Sequence, residues 1–84
     1  MRYTVDILRS AQKQLSKIHL QDRDRIVGAI HALGDNPRPA GCKKLSGRPA
    51  WRIRIGTYRV LYEIHDDRLL VLVVAVGLRG SVYR

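Results

Sequence analysis

Phenylalanine is absent from this chain of 84 residues, cysteine and tryptophan occur once each, and proline occurs three times. With Cys42 alone there is no intrachain disulfide and no cysteine-based zinc site, which fits a reducing compartment. Long apolar runs are missing as well. The longest, Leu69 to Val76, is far too short to cross a bilayer as a helix, and the amino terminus carries no apolar segment with a small-residue cleavage site. A soluble, unexported cytoplasmic protein that does not engage a membrane is expected. The length excludes a two-domain enzyme and predicts one domain over residues 1–84 with a small core and modest stability.

Acidic residues are also scarce, 7 against 16 Lys and Arg, leaving a net charge of +9. The apolar share of 45% is that of a folded globule, so the charge sits on a structured surface and points to a polyanion, nucleic acid first. It is unevenly spread. Residues 1–40 hold 7 basic and 4 acidic side chains, whereas residues 41–84 hold 9 and 3, which makes the carboxyl-terminal half the anion-facing one.

Hydrophobic period predicts an α+β fold. Tyr3, Val5 and Ile7 alternate with polar residues as in a half-buried strand. Ser10 is the expected cap of a helix carrying Ala11, Leu15 and Ile18 on one stripe, and His19-Leu20 is the expected joint. A second helix is expected from about Asp22 to Leu33, stopped by Gly34. After the proline-rich loop Asn36 to Gly41 come three strands, Trp51 to Ile55, Tyr58 to Ile64 and Leu69 to Val76. Gly56-Thr57 and His65 to Arg68 supply their turns. The expected architecture is an N-terminal strand and a two-helix hairpin, then a three-stranded antiparallel meander forming one small sheet. The last strand, apolar nearly throughout, is expected to be central with both faces covered.

In the first strand of the meander Trp51, Ile53 and Ile55 point one way and Arg52 and Arg54 the other. Two guanidinium groups about 7 Å apart on one face suit phosphates, and so does a solvated basic sheet face with no ligand. Arg59 lies across the Gly56-Thr57 turn, Arg79 follows the last strand, and Tyr83 offers a ring and a hydroxyl. Lys43, Lys44 and Arg48 are further basic candidates for contact with nucleic acid. His19, His31 and His65 share no metal-ligand spacing, and no Ser-His-Asp set or glycine-rich phosphate loop is present.

Lys44-Leu45-Ser46-Gly47, the run from Trp51 to Ile64, Val76-Gly77-Leu78-Arg79 and Val82-Tyr83-Arg84 together resemble the RelE/ParE superfamily of bacterial type II toxins, nearer its RelE branch. The resemblance implies a RelE-like fold and a ribosome-dependent messenger RNA endoribonuclease. Arg52, Arg54, Arg59, Arg79 and Tyr83 would be its catalytic residues. It implies no cofactor and no metal, with the ribosome, messenger RNA and an acidic, partly disordered RelB-like antitoxin as partners. Arginine stands where lysine is frequent in the family, and because arginine keeps its proton the general base is unassigned. Two further readings stay open: a gyrase inhibitor of the ParE type, and a basic binding module without catalysis.

Overall fold

The computed structural model describes residues 2–78. Strand β1 (Thr4–Ile7) leads directly into helix α1 (Arg9–Ser16), with Leu8 in the capping position. Main-chain bonds set this start. The Leu8 N–H donates to the Val73 carbonyl and the Leu8 carbonyl accepts from the Gln12 N–H, both at 2.9 Å. Ser10 is therefore inside the first turn and not the cap expected from its side chain. Helix α2 (Leu20–Ala32) likewise begins earlier than expected, because His19 Nδ1 accepts from the Gln21 N–H at 3.3 Å and brings Leu20 into the helix. At its far end Gly34 serves close approach. The Tyr3 N–H donates to its carbonyl at 2.7 Å, and a Cβ at position 34 would lie 3.0 Å from the Tyr3 oxygen.

The second half forms β2 (Lys43–Lys44), β3 (Trp51–Ile55), β4 (Tyr58–His65), a 3-10 turn (Asp66–Arg68) and β5 (Leu70–Leu78). Strand order is β1-β5-β4-β3-β2, with β1 parallel to β5 and the other pairs antiparallel. The expected three-stranded meander is present as β3-β4-β5, but the sheet it belongs to has five strands and is mixed. Two things enlarge it. The helical hairpin returns the chain so that β1 pairs with β5, and Lys43–Lys44, too short to show a period, pairs with Trp51 and Arg52. His65, expected in a turn, ends β4 opposite Leu70, and the reversal is completed by Leu69 at φ +49°.

Both helices cover one face of the sheet. Ala11, Leu15, Ile26, Ile30 and Leu33 pack on Ile53, Val60, Tyr62, Val71, Val73 and Val76. Each buried Val, Leu or Ile among them contributes about 1.5–3 kcal/mol, so this layer is the main source of stability. Strand β5 lies between β1 and β4 as expected, yet only its helix-side residues Val71, Val73 and Val76 are fully buried. A register shift opposite Leu61 and Tyr62 leaves Val74 as the extra residue of a bulge, which keeps Val73 and Val76 on the same face.

Candidate nucleic-acid interface

Register decides what the helix-free face carries. Arg54 pairs with Arg59, and Arg52 lies between Lys43 on one side and Leu61 on the other. Cross-strand partners share a face, so Lys43, Arg52, Arg54 and Arg59 all point away from the helices. Arg54 and Arg59 have Cα atoms about 4.5–5.5 Å apart, and like charges directly opposite one another destabilise a sheet. Arg52 and Arg59 are the buried members of the group, only 8% and 9% exposed, while Arg54 is exposed. Gly77 and Ala75 are the β5 neighbours of Arg59 and Leu61, small residues that leave room above the face. Gly56, at φ +60°, permits the tight turn that brings Arg54 back against Arg59. Beside that turn is a hollow of about 190 Å³ lined by Arg54, Gly56, Thr57, Tyr58 and Arg59. Paired cations next to a concave surface favour an anion with several oxygens, which relieves their repulsion.

The remaining candidates divide. Lys44 pairs with Trp51 and so projects to the opposite face from Lys43, while Arg48 is exposed in the turn between β2 and β3. Arg79 and Tyr83 lie outside the described residues. Trp51 packs at the edge of the core, with the Arg38 guanidinium 5.2 Å from its ring centroid.

Several groups carry no signal in the sequence. Further along β4 on the arginine face, Glu63 Oε1 and His65 Nε2 pair at 2.9 Å. At the same end of the sheet the Tyr3 hydroxyl donates to Asp66, and Arg38 donates to both Asp66 oxygens at 3.0 and 3.5 Å. Arg38 first and Tyr3 second hold the Asp66 carboxyl below its usual range, while the bond to Asp66 pushes the Tyr3 phenol up. Tyr62, wholly buried, donates its hydroxyl to the Pro37 carbonyl at 2.7 Å, and burial pushes that phenol far up. The bonds of Arg38 to Asp66 and of Tyr62 to Pro37 anchor the loop between α2 and β2. Apart from that of the neighbouring Glu63 and His65, these contacts join residues 25 to 63 positions apart, beyond the reach of any local pattern. Among the described residues no three His, Cys, Asp or Glu side chains gather to hold a metal ion, and no helix is long and apolar enough to cross a membrane.

Comparison with known proteins agrees with this architecture. The profile of the ParE toxin family of type II toxin-antitoxin systems matches residues 5–83. Toxin RelG of Mycobacterium tuberculosis is 34% identical over 92 aligned positions, covering 100% of this chain and 99% of that one. A chain of the RelBE2 toxin-antitoxin complex from the same organism superposes with a TM-score of 0.83 at 29% identity, covering 94% of this chain and 100% of that one. For the intact Escherichia coli RelBE complex the TM-score is 0.80 at 27% identity, with coverages of 93% and 98%. With a family match across nearly its whole length and RelE-like folds around it, the chain belongs to the ParE toxin family, within the RelE/ParE superfamily of type II toxin-antitoxin systems.

Proposed function

We propose that this toxin is a metal-independent endoribonuclease that cuts messenger RNA in the ribosomal A site. The observation that carries the reading is Arg54 facing Arg59 across β3 and β4, with Arg52 on the same face. In the proposed reaction a ribose 2′-oxygen attacks the adjacent phosphorus, giving up its proton as the new P–O bond forms. The bond to the 5′-oxygen breaks and that oxygen takes up a proton, leaving a 2′,3′-cyclic phosphate and a 5′-hydroxyl. The phosphorane formed on the way gains negative charge, and preorganised guanidinium groups stabilise it without a metal. Arg59, buried and fixed by the strand, suits that role; Arg54, exposed, suits holding the incoming phosphate. Arg79 and Tyr83 belong to the same proposal on the strength of the sequence resemblance. A RelB-like acidic antitoxin is the proposed cellular partner, supported by the net charge of +9 and by the toxin-antitoxin complexes among the similar structures.

The test is single-turnover cleavage in programmed ribosomes, with the new ends mapped for cyclic phosphate. Removing one preorganised donor typically costs about 3–4 kcal/mol, so Arg59→Ala should cut on the order of a hundred- to a thousandfold more slowly. Arg68→Ala, in the 3-10 turn, should cut normally. Equal rates for the two folded variants would refute the assignment. The match to the ParE family favours gyrase inhibition as the second reading, which a DNA supercoiling assay separates: loss of supercoiling with intact messenger RNA would establish it.

A further inference from the structure

The hollow beside the β3–β4 turn continues around its tip. A second hollow, of about 240 Å³, is lined by Asp22, Arg25, Ile55, Gly56, Thr57 and Tyr58. The two share Gly56, Thr57 and Tyr58, so they flank the same hairpin tip, with Arg54 and Arg59 lining one and Arg25 the other. Arg25 reaches the tip from α2. Its Nη2 lies 3.0 Å from where a Cβ on Gly56 would stand, so it rests against the bare backbone of the turn. Asp22 is its weak partner there. The two side chains approach only to 3.5 Å, one turn apart, and are 60% and 39% exposed, a pairing that holds little in water.

We infer that Arg25 contacts a backbone phosphate of a single-stranded RNA that leaves the Arg54–Arg59 pair over the hairpin tip, and that Asp22 occupies the place of that phosphate in the free protein. The inference rests on reading the arginine face as an RNA site, and it adds the path of the strand beyond the reacting phosphate. Curvature selects the ligand. Duplex nucleic acid, with a persistence length of about 150 base pairs, turns sharply only at an energetic cost, whereas a single strand follows a two-residue turn freely. Between the cations, the Thr57 hydroxyl offers a hydrogen bond to phosphate or ribose, and the half-buried Tyr58 ring offers a face for a base.

The probe is a labelled RNA of about twelve nucleotides, within the usual span of single-strand sites, 2′-O-methylated so that no 2′-hydroxyl attack occurs. Binding to the full chain is measured from about 50 to 200 mM salt. Arg25→Gln should bind several-fold more weakly at the low-salt end, with the slope of log affinity against log salt reduced by about 0.7, the value for one phosphate contact to a single strand. Asp22→Asn should bind more tightly, and Arg68→Gln should match the wild type. Thermal unfolding of each variant verifies that it is folded. Unchanged affinity and slope in folded Arg25→Gln would overturn the inference whether or not the wild type cuts messenger RNA. A reduced slope in a protein that never cuts RNA on ribosomes would support the inference and sink the proposed catalysis instead. Equal dependence on Arg25 with a duplex DNA of the same length would overturn the single-strand assignment.

Discussion

Removing one oxygen atom from Tyr62 should destabilise the protein measurably, because of where its partner sits. The Tyr62 side chain is fully buried, its hydroxyl donates to the Pro37 carbonyl at 2.7 Å, and Pro37 is itself buried. Tyr62→Phe keeps the ring and strands the carbonyl. A net hydrogen bond contributes about 0.5–1.5 kcal/mol, whereas leaving a buried partner unsatisfied costs about 1–3 kcal/mol. Phenylalanine no longer has a hydroxyl to desolvate, which offsets part of that, so a loss of about 1.5 kcal/mol is expected. For a domain of this size that lowers the unfolding midpoint by roughly 6–12 °C. Urea unfolding should show a lower midpoint with an unchanged slope, since the surface exposed on unfolding is nearly the same. A pH series supplies a second check. The folded-state pKa of Tyr62 is raised above the unfolded value, so the stabilisation is complete below about pH 10 and is lost as pH rises further. The gap between wild type and Tyr62→Phe should therefore narrow in alkali. A loss below about 0.3 kcal/mol at neutral pH would mean that the Pro37 carbonyl finds another donor, and the anchoring of its loop would have to be explained otherwise.

Asp66 should behave in the opposite sense. Arg38 and Tyr3 hold its folded-state pKa below the unfolded value, so its contribution is present above about pH 4 and is lost as pH falls through the folded value. Asp66→Asn should flatten the acid limb of the stability profile between pH 5 and pH 2; an unchanged limb would show that other carboxylates set it. At the other end of the molecule Gln14 Oε1 accepts from the Val76 N–H at 2.7 Å, beyond the point where β1 stops protecting β5. Gln14→Ala should speed deuterium exchange at the Val76 amide by about fivefold, the equivalent of about 1 kcal/mol, and an unchanged rate would refute that protective role.

The strands of the meander were legible because their two-residue period is strong, and that period placed Arg52 and Arg54 on the face opposite Ile53. Bringing Arg54 directly against Arg59 needed only the two-residue Gly56-Thr57 turn. What was hidden depends on partners distant in sequence. Parallel pairing of β1 with β5 leaves no local trace, and the Lys43–Lys44 strand is two residues long, so the sheet looked smaller than it is. The parity that separates Lys43 from Lys44 follows from pairing with β3 and not from composition. Arg25 reads as an ordinary solvent-facing helix residue until the hairpin tip is seen beneath it. Ser10 misled because the backbone of Leu8, tied to Val73, begins the helix without any side chain's help.

Joining residues 4–7 to residues 70–73 also fixes when the protein can acquire its shape. A chain emerging from the ribosome holds β1 and both helices early, but their seat on the sheet is incomplete until β5 has left the exit tunnel. Such long-range closure folds late compared with a helical bundle. Strand β4, which carries Arg59, has β5 as its largest contact and is bare on one edge until then. The cationic face is thus assembled only once β5 has joined β4, opposite Arg59.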